Sequence, residues 1–257
     1  MEYLNRVIPV LTISGGDKLV KTVGFKQPNY IGDPINAVKI FNDKQVDEIV
    51  LLDINATLEN REPNYDKIEE ICSEAFMPFA YGGGIKNIEQ IQLLFSLGIE
   101  KVVLNSTLSS NLDLIAKASS IFGSQSIVAS LDVKRNLFGQ YHIYTHSAKK
   151  KLKFNIPELI KKLESLGIGE IFLNSIDRDG TFKGYDLKLI EEISSHSQVP
   201  IVACGGAGSV NDFKLALKAG AQAVAAGSYF VYRSSKKGVL INYLNSEELA
   251  EIMSSNL

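Results

Sequence analysis

Two glycine-rich stretches stand where a backbone could grip an anion. Phe79-Ala80-Tyr81-Gly82-Gly83-Gly84-Ile85 and Val202-Ala203-Cys204-Gly205-Gly206-Ala207-Gly208 each follow a proline, Pro78 or Pro200, and a short apolar run. Each leads into a helix-like segment. Glycine at a strand-to-helix turn removes the Cβ, so N–H groups can approach an anion at the helix N-terminus. Gly82 and Gly205 stand 123 residues apart, close to half of the 257-residue chain. The pair therefore reads as two matched sites for a ligand with two anionic ends; two purely structural turns are the alternative.

A second set of residues could move protons. Thr12, Asp53, Asn105, Asp132, Asn174 and Cys204 each close an apolar, β-branched run, and the polar loop Ser175-Ile176-Asp177-Arg178-Asp179-Gly180-Thr181 follows one of them. Asp132 would act as a general acid or base if burial raised its pKa. It could equally cap the next element or pair with Lys134 or Arg135, and Asp177, Arg178 and Asp179 could be a solvated, self-paired loop. His142, His146 and His196 form neither a metal constellation nor a triad, which argues against zinc and nucleophilic chemistry. Cys204 at a run's end reads as a small apolar filler.

The beginnings of the same runs are charged: Arg6, Glu48, Lys101 and Glu170. Such ends are normally solvated. If alternate strands brought these four into one layer, two cations and two anions would neutralise one another, although buried ion pairs often fail to repay their desolvation. A polar plug of that kind suggests a gated entrance for a small polar molecule.

These residues are positioned by a regular alternation. Strand candidates are Arg6–Ile13, Glu48–Ile54, Pro78–Tyr81, Lys101–Asn105, Ser126–Val133, Glu170–Asn174, Pro200–Cys204 and Ala223–Gly227. Helical patterns lie between them: one opened by Asp33-Pro34, one by Asn87, then Asn111–Phe122, Ile156–Leu166, Asp186–His196 and Ser209–Ala219. Strands apolar on both faces with a helix after each imply a parallel sheet, and eight such units in this length imply a (β/α)₈ barrel, with a doubly wound sheet as the rival. In a barrel, the run ends lie at the catalytic mouth and the run beginnings at the floor.

Asp47-Glu48-Ile49-Val50-Leu51 answers Gly169-Glu170-Ile171-Phe172-Leu173, and Val10-Leu11-Thr12-Ile13 answers Ser130-Leu131-Asp132-Val133. With the glycine pair, these imply one domain over 1–257 made of two half-barrels, about 1–123 and 124–257. One insertion, 136–154, carries Gln140-Tyr141-His142-Ile143-Tyr144-Thr145-His146 and Lys149-Lys150-Lys151, and reads as an extra hairpin on the mouth side.

Bulk composition narrows the classes. The chain is 45% hydrophobic and 22% charged, with a formal net charge of −2. That balance gives no attraction to nucleic acid or a membrane surface, and no apolar run is long enough to span a bilayer. Cys72 and Cys204 are too few and too scattered for a disulfide or metal framework. The start, Met1-Glu2-Tyr3-Leu4-Asn5-Arg6, lacks a signal-peptide pattern, so the expectation is a cytoplasmic protein.

Taken together, the motifs resemble the cyclase subunit of imidazole-glycerol-phosphate synthase over nearly the whole chain. The matching motifs are Arg6-Val7-Ile8-Pro9, Gly32-Asp33-Pro34, Leu52-Asp53-Ile54, Gly82-Gly83-Gly84-Ile85, Phe122-Gly123-Ser124-Gln125, Asp132-Val133-Lys134-Arg135, Tyr144-Thr145-His146, Asp177-Arg178-Asp179-Gly180-Thr181 and Gly205-Gly206-Ala207-Gly208. That family is a (β/α)₈ barrel bound through its N-terminal face to a glutaminase. Ammonia enters at the floor and reacts at the mouth with a phosphorylated ribulosyl aminoimidazole carboxamide ribonucleotide, without cofactor or metal.

The resemblance implies that Gly83, Gly84, Asn105 and Ser106 hold one phosphate, and that Asp179, Gly180, Gly205, Gly206, Gly227 and Ser228 hold the other. It implies that Lys21 is a mobile-loop lysine over the site, that Arg6, Glu48, Lys101 and Glu170 form the ammonia gate, and that Asp132 is one of two acid/base aspartates. Thr12 stands where the family has the other, and threonine does not ionise near neutral pH. Asn174 and Cys204 stand where the family has threonine and serine, and Tyr81 before the glycines is atypical.

Changes at the reacting centre beside a retained gate and retained phosphate turns resemble the cyclase-like proteins of surface-polysaccharide gene clusters. There, a glutaminase-like partner and a separate amidotransferase convert an acetamido sugar to an acetamidino sugar. Three readings follow: ammonia channelling for amidination of a sugar nucleotide, a working histidine-pathway cyclase that tolerates Thr12, or a non-catalytic activator of its glutaminase.

Overall fold

A computed structural model describes residues 5–233 and 238–254. In chain order its strands are β1 (Arg6–Ser14), β2 (Lys18–Lys21), β3 (Asn29–Gly32), β4 (Ile49–Asp53), β5 (Phe79–Gly82), β6 (Lys101–Leu104), β7 (Ile127–Arg135), β8 (Tyr141–Thr145), β9 (Lys150–Lys151), β10 (Glu170–Ser175), β11 (Ile201–Cys204) and β12 (Ala223–Ala226). Its helices are α1 (Pro34–Asp43), α2 (Tyr65–Cys72), α3 (Ile88–Ser96), α4 (Leu112–Phe122), α5 (Ile156–Ser165), α6 (Leu187–Ser194), α7 (Val210–Lys218), α8 (Ser228–Val231) and α9 (Ser246–Met253).

Eight strands close into a ring. Their order is β1-β4-β5-β6-β7-β10-β11-β12, every neighbouring pair is parallel, and β12 returns to β1. With α1 to α7 following successive strands, this is a (β/α)₈ barrel, as the alternation of elements predicts. The segments paired as repeats occupy strands opposite each other: β1 faces β7 across the ring, and β4 faces β10.

The helices form where the sequence supplies a cap and an apolar stripe. Asp33 accepts the Ile35 N–H ahead of Pro34, Asn87 accepts that of Gln90, and Ser209 with Asp212 makes a reciprocal box. Their buried faces join the outer surfaces of the strands in one large core, which includes Phe41, Ile91, Leu163 and Phe213.

Inside the ring lies a separate apolar layer. Ile8, Val10, Val50, Ala80, Val103, Val128, Phe172, Val202, Cys204, Ala223 and Ala225 pack against one another there, all at most 8% exposed. Every inward residue is two positions from the next on its strand, so Arg6 and Thr12 share the inner face of β1 with Ile8 and Val10.

Two hairpins decorate the mouth. β2 and β3 fold back antiparallel on the end of β1. The other is the hairpin expected in 136–154, formed largely by β7, which runs to Arg135 and pairs antiparallel with β8 before β9 closes it. The β2–β3 hairpin, α2, α8 and α9 had no counterpart in the sequence reading. Lys18–Lys21 is too short to show a period, and α2 buries only Ile68 and Ile71.

Candidate active site at the barrel mouth

The strand ends enclose a cavity of about 410 Å³, lined by Thr12, Lys21, Asp53, Gly83, Gly84, Asn105, Ser106, Asp132, Asn174, Asp179, Cys204, Gly227 and Ser228 among others. A small annex of about 20 Å³ adjoins it, lined by Asp179, Gly180, Gly205, Gly206, Gly227 and Ser228. The two glycine turns thus lie on different parts of the mouth, as opposite strands of a ring require.

Asp132 is inward on β7 and only 7% exposed. Burial is the main cause that pushes its carboxyl up to about 8, Asp179 adds to the push, and the Ser130 hydroxyl works against it. It therefore neither caps an element nor pairs with its neighbours in sequence. Lys134 and Arg135 are exposed, and Arg135 reaches Asp186 and stacks over Tyr141.

Lys21 is 4% exposed, and its Nζ donates to the Val10 carbonyl at 2.7 Å and to Thr12 Oγ1 at 3.4 Å. Burial pulls this amine down to about 8, against the raising influence of Asp179 and Cys204. Thr12 in turn donates its hydroxyl hydrogen to the Val20 carbonyl, which ties β1 to β2. Rather than standing over the site, the lysine is packed into its wall.

The first glycine turn is demanded by the backbone itself. Gly83 and Gly84 have φ of 126° and 74°, and a Cβ on them would lie 2.5 Å from the Asp53 carbonyl oxygen and 2.7 Å from that of Arg61. Gly205 and Gly206 are equally confined, the latter with a Cβ position 2.3 Å from the Gly184 carbonyl. Close packing and a left-handed turn account for these glycines whether or not an anion binds.

The side chains beside the turns are differently placed. Asn105 uses its Nδ2 on the carbonyls of Ser130 and Tyr144 and its Oδ1 on the His146 N–H, so its amide holds the β8 segment to the barrel. Ser106 opens a short 3₁₀ turn on the cavity edge. The Asp179 carboxylate accepts from the Thr22 hydroxyl at 2.9 Å and the Phe25 N–H at 3.4 Å, while its carbonyl accepts from Gly24. Asp179 thereby anchors the 22–25 turn between β2 and β3. Its neighbours in the loop look elsewhere, Asp177 to the Arg135 N–H and Arg178 to the Lys183 carbonyl, so the loop is not self-paired.

Three further features of the site involve residues named from the sequence without a role: Asp53, Ser130 and His146. Asp53, with no exposed side-chain surface, is gripped by two nitrogens of Arg61 at 3.2 and 3.3 Å and accepts the N–H groups of Asn55 and Ala56. Ser130 stands two positions before Asp132 on the same inner face, a spacing the sequence does display. His146, Ser147 and Lys149 bring the β8–β9 turn to the cavity wall. His146, Ser147 and Ala148 have consecutive φ values of 57°, 51° and 65°. The buried Asn174 Oδ1 has no hydrogen-bond partner and lies against Gly205; the Tyr81 hydroxyl, on the outer face of β5, has none either.

At the opposite end of the axis, Arg6, Glu48, Lys101 and Glu170 close a cycle. Arg6 pairs with both Glu48 and Glu170, and Lys101 Nζ reaches Glu48 at 2.8 Å and Glu170 at 3.3 Å. The two glutamates are 3% and 7% exposed, and the cations cover them from outside. The expected single layer of two anions and two cations is therefore present. Burial of the Arg6 guanidinium is outweighed by the two glutamates, which hold its pKa above the usual value.

Among the described residues no cluster of three metal-ligating side chains occurs, and no helix is long and apolar enough to cross a membrane. Both cysteines are free.

Comparison with known proteins places this geometry. A protein named imidazole glycerol phosphate synthase subunit hisF2, provisionally so, from Pseudomonas aeruginosa is 48% identical over 95% of this chain and 97% of its own. A Vibrio vulnificus protein provisionally named subunit hisF3 is 46% identical over 95% of this chain and 94% of its own. The imidazole glycerol phosphate synthase subunit HisF of Petrotoga mobilis is 39% identical over 88% of this chain and 90% of its own. The family model described as histidine biosynthesis protein matches residues 6–236. With its barrel, its mouth and its extent all in agreement, the chain belongs to the histidine biosynthesis protein family.

Proposed function

We propose that the chain is a cyclase-type subunit of imidazole glycerol phosphate synthase. It takes ammonia at the floor from a glutaminase docked on the N-terminal face and adds it at the mouth to a carbonyl of a substrate phosphorylated at both ends. One observation carries this reading: a closed ring of four charges and a cavity holding a buried acid occupy the two ends of a single barrel axis. The floor ring acts as the gate, with Arg6, Glu48, Lys101 and Glu170 as its members. One phosphate lies at Gly83, Gly84 and Ser106, positioned by Asn105. The other lies in the annex formed by Gly180, Gly205, Gly206 and Ser228, with Asp179 and Gly227 behind it.

The neutral Asp132 carboxyl is suited to protonate the carbonyl oxygen as ammonia attacks, since a general acid works best with a pKa near the working pH. Complementation of a histidine auxotroph lacking the cyclase tests the proposal. Growth supports it, and failure of a well-expressed protein to restore growth or to make imidazole glycerol phosphate in vitro counts against it.

Thr12, Asn174 and Cys204 together favour a second reading. They replace ionisable or hydroxyl chemistry around Asp132 while the gate residues stay, which suits delivery of ammonia to amidination of an acetamido sugar nucleotide with a separate amidotransferase. Identification of the nitrogen-bearing product from glutamine, the glutaminase and each candidate substrate separates the two.

A further inference from the structure

The hairpin built by β7, β8 and β9 carries charge that neither the floor ring nor the glycine turns use. From Lys134 to Lys153 the chain has six lysines or arginines and no carboxylate. Arg135 is engaged with Asp186 and Tyr141, and Lys150 Nζ lies 3.5 Å from the Ser109 carbonyl. Lys134, Lys149, Lys151 and Lys153 have no ion-pair partner among the described residues. Solvated lysines on a hairpin would be ordinary. Strand register gives these an arrangement.

In an antiparallel sheet, residues opposite each other share a face. Asp132 is paired with Tyr144, and Tyr144 with Lys151; one step further from the barrel, Lys134 is paired with His142. Asp132 and Lys134 stand two apart on β7, so both rows lie on one face, and that face continues the inner wall of the cavity. The opposite face carries Val133, Ile143 and Leu152, which are at most 6% exposed and belong to the core shared with the helices. The rows are thereby held toward the mouth, with Tyr144 half-buried and Lys134 and Lys151 exposed. Lys149, on the turn before β9, lines the cavity itself.

A row that starts at a buried carboxyl, crosses a tyrosine ring and ends on a cation has a chemical direction. It spans two strand spacings, about 10 Å. Lys151 lies directly beyond the ring and Lys134 on the diagonal, about 7–8 Å away in a sheet of this kind. A half-buried tyrosine offers a flat apolar platform with a polar tip, which suits the C–H face of a pyranose. Two unpaired cations on neighbouring rows suit two linked phosphates better than one. From this register we infer that the hairpin face is a binding subsite for a glycosyl diphosphate. The pyranose lies over Tyr144, the diphosphate lies between Lys134 and Lys151, and the sugar's substituents reach toward Asp132.

The inference deepens the amidination reading, on which it rests, by giving the sugar nucleotide a place at the mouth. A ligand gripped by both glycine turns would leave this face unused, since both of its charged ends are already accommodated. Nucleotide-linked and lipid-linked sugars share the glycosyl diphosphate, so the probes must separate them.

Calorimetric titration of the whole protein with uridine diphosphate N-acetylglucosamine, and with farnesyl diphospho-N-acetylglucosamine, supplies the test. Binding of either supports the subsite, and the tighter one identifies the carrier. Affinity should fall about threefold to tenfold in Lys134→Glu and in Lys151→Glu, and should weaken with added salt. Both side chains are exposed, so these variants keep the fold. Tyr144→Ser should weaken the glycosyl diphosphate and leave inorganic pyrophosphate unchanged, while Tyr144→Phe should bind as the parent does.

Absence of binding overturns the inference. So does an adventitious ion only, seen as pyrophosphate and the glycosyl diphosphate binding equally, with neither sensitive to Tyr144→Ser. Binding that survives in Lys151→Glu and is displaced by inorganic phosphate would put the ligand at the glycine turns, and also overturns it. Failure of the amidination reading looks different: the glycosyl diphosphate binds through Tyr144 and Lys151 yet gains no nitrogen from glutamine when the glutaminase and the amidotransferase are present.

Discussion

Burial that favours a neutral Asp132 has a consequence for stability as well as for chemistry. Its folded pKa of about 8 lies above the ordinary 3.8, so the folded state holds a proton that the unfolded chain has released between about pH 4 and 8. Stability contributed by this group is complete below pH 4 and declines as pH rises through that window. In Asp132→Asn the decline should disappear, leaving the variant more stable than the parent at pH 8 by more than about 2 kcal/mol while turnover falls about 10²–10⁴-fold. Denaturant midpoints at pH 5 and pH 8 check this; parallel behaviour of the two proteins would contradict the burial argument. Lys21 has the opposite sign in a different window: its pKa is lowered from 10.5 to about 8, so the unfolded chain binds the extra proton and stability rises between about pH 8 and 10.5. Lys21→Met should be flat there. Asp132 and Thr12 were visible in the sequence because both end apolar runs. The burial of Lys21 was not, because Gly227 resembles a turn glycine until a lysine from the other end of the chain is seen to fill the space beside it.

Eight strands and six helices follow from alternation, caps and apolar spacing, since each is a local property that the tertiary structure only reinforces. The charged openings of β1, β4, β6 and β10 were legible for the same reason, but their closure into a cycle depends on the ring's stagger. Breaking that cycle should be expensive. Lys101→Met leaves Glu48 and Glu170 buried with Arg6 as their shared cation, and an uncompensated buried charge of this kind costs on the order of 3–5 kcal/mol. Chemical denaturation measures it, and a loss below about 1 kcal/mol would mean that the ring is solvated. If the ring is the gate, the same variant should lose coupling between glutamine hydrolysis and product more than it loses turnover of added ammonium. The β2–β3 hairpin escaped the sequence reading because its strands are four residues long and are held by contacts made elsewhere, chiefly Asp179 to Thr22 and Phe25. Thr22→Val with Asp179→Asn should release it: amide exchange over residues 22–32 should quicken while the barrel strands stay protected. Unchanged exchange would show that strand pairing alone holds the hairpin.

In the closed barrel, floor and mouth are fixed relative to one another, because a ring of strands has no edge along which to slip. The proposed grip on two phosphates can be tested on the whole protein: crystals soaked in inorganic phosphate should show density at both Gly83–Gly84 and Gly205–Gly206, and occupancy of neither turn would argue that the glycines serve packing alone. Between the ends lies the layer of Ile8, Val50, Val103, Val128, Phe172 and Val202. A layer without hydroxyls or carboxylates offers no relay for a hydrated proton and a poor medium for an ion, yet it is no obstacle to a small uncharged solute. It therefore behaves as insulation between two circuits. On the proposed route, ammonium at the floor must leave its proton there before crossing, and protons taken up or released around Asp132 stay at the mouth. Altering the floor charges should consequently leave the mouth titrations where they are, whereas a single serine or aspartate at Val128 would short the two together.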